Sequence, residues 1–274
     1  MYVSVAVMDT GIFRHMDFDT RIAGFADFVG RKKYLYDDNG HGTHVAGIIA
    51  GSGKGSNGKY RGIAPDTFLV SVKVLDKSGN GKIENVVEAA DWIIENKTAM
   101  NIRVVNISFG TRAKVENGPA IEAGEDDYAL IIAVEKMWNS GIVVVAAAGN
   151  DGPGNASVTV PGISKKIITV GAFDDKNFFS GRGPTRECIV KPEVVVTGSN
   201  IIACNNHQGR YSSKSGTSMA APVVSGAVAR LIKNNPDITP KEVKIWMKSC
   251  CKKINVPSEK QGWGVLDIRK FVTG

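Results

Sequence analysis

Apolar and polar positions follow two rhythms along this chain. Short, nearly continuous apolar runs rich in β-branched residues occupy positions 3–8, 68–75, 103–107, 142–147 and 167–170 and read as strands. Between them, positions 83–96 and 130–139 carry apolar residues three and four apart, the spacing of one helix face. Residues 216–233 are rich in alanine and valine with a small-residue face, which suits a helix buried in the middle of the molecule. Thr239 is placed to cap the helix that follows, with Pro240 at its first position. Residues 51–62, rich in Gly, Ser, Asn and Lys, read as a surface loop, and residues 111–127 as an irregular stretch. Strand–helix–strand alternation of this kind predicts an α/β fold: a central, mainly parallel sheet with helices on both faces. In such sheets chemistry collects beyond the carboxyl ends of the strands, so those positions are searched first.

Composition narrows the class. No repeat, low-complexity tract or linker divides the 274 residues, so residues 1–274 are expected to form a single catalytic domain. Hydrophobic residues are 43% and charged residues 22%, ordinary for a globular protein with a sizeable core. No apolar stretch approaches the ~18 residues of a membrane span, which argues against a membrane partner. The first residues lack a basic start and a small-residue cleavage site, so neither a secretory leader nor a propeptide is expected. Cys188, Cys204, Cys250 and Cys251 give neither a disulfide framework nor a paired CxxC site. They are expected as free thiols in a reducing compartment, hence a cytoplasmic location. The formal charge of +7 is scattered. Its densest cluster, Lys241, Lys244, Lys248, Lys252 and Lys253, reads as a solvated helix face, not a nucleic-acid surface.

Four segments carry the candidate chemistry. An apolar strand ends in Asp9; a helix opens at His41 in His41-Gly42-Thr43-His44; the small-residue helix opens on Ser218 in Gly216-Thr217-Ser218; and a buried strand ends at Asn150. Asp, His and Ser are the types needed to make a hydroxyl nucleophilic at neutral pH. The Asn150 amide and the Ser218 N–H at a helix start could both donate to a developing oxyanion.

In their order Asp, His, Asn, Ser, these segments resemble the signature motifs of the subtilases, and the resemblance runs from residue 3 to about 267. Within that family the runs at 36–44 and 58–65 are most similar to the intracellular bacterial branch of the AprX type. The resemblance implies the subtilisin-like three-layer fold and a serine endopeptidase of broad specificity, acting on proteins or peptides and needing no cofactor for its chemistry. It also implies that substrate pairs with Gly79, Asn80 and Gly81 on one side and Ser108, Phe109 and Gly110 on the other. The S1 pocket would lie between Ser108 to Gly110 and Ala147, Ala148 and Gly149. Two other readings stay open: a latent subtilase fold serving as a binding module, and a dedicated peptide-processing enzyme. Many subtilases bind structural calcium, and Asp17 matches one of the ligand positions. With eight residues before Asp9 and lysines at 54 and 59, that site is expected to be absent or altered, although calcium elsewhere stays possible.

Other signals carry less. Gly42 stands where the zincin motif needs Glu, so His44 is expected as a packed helix residue, and His15 and His207 as loop or surface residues. GxGxxG at 53–58 and GxxxxGK at 53–59 follow a helix, and Tyr60 stands where Ser or Thr would reach magnesium, so no nucleotide site is expected. Glu116, Glu122, Glu125, Asp126 and Asp127 could attract basic substrate residues if they bordered the cleft, but a solvated loop is the simpler expectation.

Overall fold

The structure, a computed structural model, describes residues 2–111, 125–185 and 189–273. Strand β1 (Ser4–Asp9) lies inside a parallel array, with β3 (Phe68–Lys73) on one side and β4 (Ile102–Ile107) on the other. Beyond β3 is the edge strand β2 (Ile22–Asp27); beyond β4 come β5 (Val143–Ala147), β6 (Ile168–Ala172) and β7 (Val194–Val196). The short β10 (Cys251–Lys252) and β11 (Val265–Leu266) complete a sheet of nine strands, in which β10–β11 is the one antiparallel pair. A separate antiparallel hairpin joins β8 (Ile201–Cys204) to β9 (Tyr211–Lys214).

Helices cover both faces. Helices α2 (Ile83–Asn96) and α3 (Glu125–Asn139) pack on one face over Ala6, Met8, Val105 and Val144. On the other, α1 (His41–Ala50) and α4 (Thr217–Asn234) cover Val5, Val7, Val104 and Val145. Successive residues of one strand therefore feed two cores, which is why the strands read as unbroken apolar runs. Three shorter helices follow: α5 (Pro240–Ser249), α6 (Ser258–Gln261) and α7 (Ile268–Val272). At α5 the expected cap forms in full, with Thr239 accepting from Glu242 N while the Glu242 carboxylate accepts from Thr239 N at 2.8 Å.

The α/β expectation holds. Three features differ from the sequence reading. Strand β2 carries half-exposed residues because it is an edge, so its apolar signal is diluted. Helix α3 begins five residues earlier than its periodicity indicated, on Glu125, Asp126 and Asp127, acidic residues that suit a helix N-terminus. Of the acidic stretch, Glu116 and Glu122 lie outside the described residues, as does Cys188.

Candidate active site

Strand β1 delivers Asp9, fully buried, to the carboxyl edge of the sheet, and α1 starts directly above it with His41. The approach is close because Gly42 lacks a side chain; a Cβ there would collide with the Gly11 carbonyl oxygen and press on Asp9. His41 Nδ1 lies 2.8 and 2.9 Å from the two Asp9 oxygens, and Asp9 Oδ1 also accepts from Thr10 N at 2.7 Å. Burial opposes a charged imidazole, but the charge and hydrogen bond of Asp9, aided by the charge of Asp37, outweigh it. The His41 pKa is therefore raised above 6.5.

Asp37 figured in the sequence only as part of the 36–44 run, with no role of its own, yet its buried carboxylate organises the start of α1. One oxygen accepts from Thr10 Oγ1 (2.9 Å), Asn39 N (3.0 Å) and Gly40 N (2.8 Å); the other accepts from Thr43 N (2.9 Å) and Thr43 Oγ1 (2.5 Å). Lys73, at the end of β3 and 1% exposed, donates to the carbonyls of Thr10 (2.6 Å) and Leu75 (2.9 Å) and to Asp38 (2.7 Å). Both groups fix the turn that follows Asp9.

Ser218 sits in the first turn of α4. Its hydroxyl donates to the Ser108 carbonyl at 2.7 Å and so is not turned towards His41. In return Ser108 Oγ donates to the Ser218 carbonyl (3.0 Å) and accepts from Asn106 Nδ2 (2.9 Å), whose Oδ1 accepts from Ser225 Oγ (2.8 Å). This chain of neutral groups ties β4 to α4. Nearby, Asn150 Oδ1 accepts from Thr217 N (3.0 Å) and Thr217 Oγ1 (3.1 Å), which fixes the amide flip and leaves the NH₂ as the outward donor.

One of the two segments expected to pair with substrate, residues 79–81, lies in a turn closed between Asp76 and Asn80. Asp76 N donates to Asn80 O (2.7 Å), and Asn80 N donates to the Asp76 carboxylate (3.0 Å), so Asn80 closes its own turn. Gly79 N donates to Asp76 O (3.0 Å). On the other edge Ser108 is buried, Phe109 half-buried and Gly110 exposed, while Ala147 and Ala148 are buried and Gly149 is half-buried. Between Gly110 and Gly149 stands Thr159, 6% exposed, into which a Cβ on either glycine would run. Its Oγ1 has no partner among the described residues. Nothing in the sequence marked Thr159, because only the fold brings it beside the two glycines.

Other expectations sort cleanly. His44 is a packed helix residue: burial lowers its pKa to about 4, and Nε2 donates to the carbonyls of Ile201 and Ser212 (3.2 and 3.0 Å). His207 is exposed. His15 lies in the loop after β1, as expected, but is buried, 1% exposed, beside Asp17, Cys204 and Tyr211. The glycine-rich loop gives its Gly53 and Gly55 amides to the Asp17 carboxylate (3.0 and 2.9 Å), so they serve an internal anion. In the lysine cluster, Lys244 departs from the solvated face and pairs with buried Glu193 at 2.9 Å. Cys204, Cys250 and Cys251 are free, and among the described residues no helix is long and apolar enough to cross a membrane.

Residues 2–264 match the Subtilase family. The chain is 42% identical over 274 residues to serine protease AprX of Bacillus subtilis (strain 168), covering 90% of this chain and 60% of that protein. It is 34% identical over 244 residues to subtilisin DY of Bacillus licheniformis, covering 88% of this chain and 81% of that protein. Among solved structures, a cold-adapted subtilisin-like serine proteinase superposes with a TM-score of 0.77 at 31% identity, over 96% of this chain and 86% of that one. Sphericase gives a TM-score of 0.81 at 26% identity, over 96% and 90%.

Proposed function

The chain belongs to the subtilase family, and on that premise we propose that it is a serine endopeptidase using Asp9, His41 and Ser218. The observation that carries this reading is the buried Asp9 carboxylate held against His41 Nδ1 at 2.8 Å, with Ser218 in the first turn of α4, the helix that packs against α1. Asp9 keeps the Nδ1–H tautomer, so Nε2 is the basic nitrogen. Rotation about its Cα–Cβ bond takes the Ser218 hydroxyl from the Ser108 carbonyl to His41 Nε2. His41 removes the proton as Oγ bonds to the peptide carbonyl carbon. The oxyanion that forms accepts from Asn150 Nδ2 and Ser218 N–H. His41 then passes the proton to the leaving amine as the C–N bond breaks, giving the acyl-enzyme. Water, deprotonated by the same imidazole, adds to the ester carbonyl; the C–Oγ bond then breaks, the carboxylic acid leaves and His41 returns the proton to Ser218 Oγ. The sequence of steps closes with no metal or cofactor.

Substrate lies extended between the edge at Gly81 and the edge at Ser108 to Gly110, so main-chain pairing gives broad specificity. Thr159 fills the floor between Gly110 and Gly149, which limits the P1 residue to small side chains. Replacing it with glycine should shift the ratio of kcat/KM for Phe over Ala at P1 by at least roughly tenfold in favour of Phe. An unchanged ratio would remove Thr159 from the pocket. Three free thiols support a cytoplasmic site of action, and cell fractionation of the protein checks that location.

A fluorophosphonate probe tests the central reading. Labelling that disappears in Ser218→Ala establishes an activated serine; a folded wild type that stays unlabelled would favour a latent binding module.

A further inference from the structure

The family resemblance raises Asp17 as a calcium ligand, and the surroundings of its carboxylate do not fit that ion. Calcium collects six to eight oxygen donors. Here Oδ2 accepts from Gly53 N (3.0 Å) and Oδ1 from Gly55 N (2.9 Å). The Tyr211 hydroxyl reaches both oxygens at 3.0 Å, and Cys204 Sγ lies 3.5 Å from Oδ2. The lone pairs that a cation would use are thus met by N–H, O–H and S–H donors. The other potential ligand atoms, on His15 and Cys204, lie within 4.8 Å of one another and of Asp17, but are nitrogen and sulfur. Lys54, one of the cations of the loop, is paired with Asp19 at 3.0 Å.

We propose that Asp17 clasps residues 52–58 by accepting directly from their main-chain amides and from Tyr211 and Cys204, in place of a bound calcium. Burial and the charge of Asp17 push the Tyr211 hydroxyl up to about 12 and the Cys204 thiol up as well, so both keep the protons they donate. His15 is held neutral by burial; Nε2 donates to Arg210 O (3.1 Å) and Nδ1 accepts from Asp17 N (3.1 Å). The positive charge beside Asp17 is supplied by Arg21, which donates to the main-chain carbonyls of Asp17, Ala50 and Thr67. One carboxylate therefore joins the loop to the β8–β9 hairpin, and Arg21 ties the Asp17 main chain to the C-terminal end of α1. The same hairpin accepts from His44, so the clasp sits behind the helix that opens on His41.

The test uses the Ser218→Ala protein, which cannot digest itself and whose folding does not depend on the proposed activity. Melting temperature and hydrogen exchange at the Gly53 and Gly55 amides are measured in EDTA, in calcium and in zinc. The expected result is the same melting temperature and the same protection in all three. Adding Tyr211→Phe should lower Tm by roughly 3–8 °C and speed exchange at both amides roughly 10–100-fold, equally in EDTA and calcium. A rise in Tm with calcium or zinc that Asp17→Asn abolishes overturns the proposal, as does unaltered exchange in Tyr211→Phe. A metal effect that survives Asp17→Asn places the ion elsewhere and upholds the clasp.

Discussion

The two halves of the candidate site are held by different physics. On the side of His41 the groups are charged and buried: Asp9 against the imidazole, Asp37 under the helix start, Lys73 across the following turn. On the side of Ser218 they are neutral: an amide and hydroxyls running from Ser225 through Asn106 to Ser108, and Thr217 on Asn150. In the proposed mechanism the base must hold one tautomer and one orientation before substrate arrives, and ion–dipole bonds in a low-dielectric setting do that. The nucleophile must move, and a neutral hydrogen bond worth about 1 kcal/mol net is readily exchanged for another. Rigidity is therefore placed where orientation matters, and a weak latch where rotation is required.

Substitutions can break this contrast at graded cost. Asp9→Asn should have the largest effect, about 10⁴ in kcat with the fold intact, the scale measured when serine proteases lose this carboxylate. A much smaller loss would mean that His41 is oriented by other groups. On the neutral side, Asn150→Ala should lower kcat by about 10²–10³, the range measured in a subtilisin for removal of one oxyanion donor. Unchanged turnover would assign the oxyanion to other donors. The smallest effect sharpens the charged side. Because the His41 pKa is raised and the base must be neutral, kcat/KM should climb with pH through a midpoint above 6.5. Asp37→Asn removes one of the raising charges, so that midpoint should move to lower pH, with a loss of less than about tenfold at the plateau. A midpoint that stays in place would restrict Asp37 to holding the turn.

The sequence displayed what pattern and motif can carry. Strands β1, β3, β4, β5 and β6 were legible because both faces are largely buried and the runs are mostly apolar and rich in β-branched residues. The order and types of Asp9, His41, Asn150 and Ser218 were legible because each stands at or near the end of an element in a glycine-containing run, although β5 ends at Ala147, three residues before Asn150. Groups whose roles depend on long-range approach were not. Lys73 and Lys191 sit inside or beside strands with exposures of 1% and 0%, and a lysine in a sequence gives no sign that carbonyls and carboxylates will surround it. Thr159 and His15 are defined by neighbours about 50 and 190 residues away, Gly110 and Arg210 among them. The rotamer of Ser218 is a choice between two acceptors, Ser108 O and His41, and no sequence pattern encodes which one is taken.

The position of β1 has a kinetic consequence. Its first residue pairs with Phe68 on one side and Ile102 on the other, so the centre of the sheet cannot assemble until distant stretches of chain have come together. Such high contact order slows folding, and at a given stability a slow folder is also a slow unfolder. For a peptidase of the kind proposed, the danger is the opened copy of itself. Its working lifetime is then governed by the height of the barrier to opening more than by the depth of the native well.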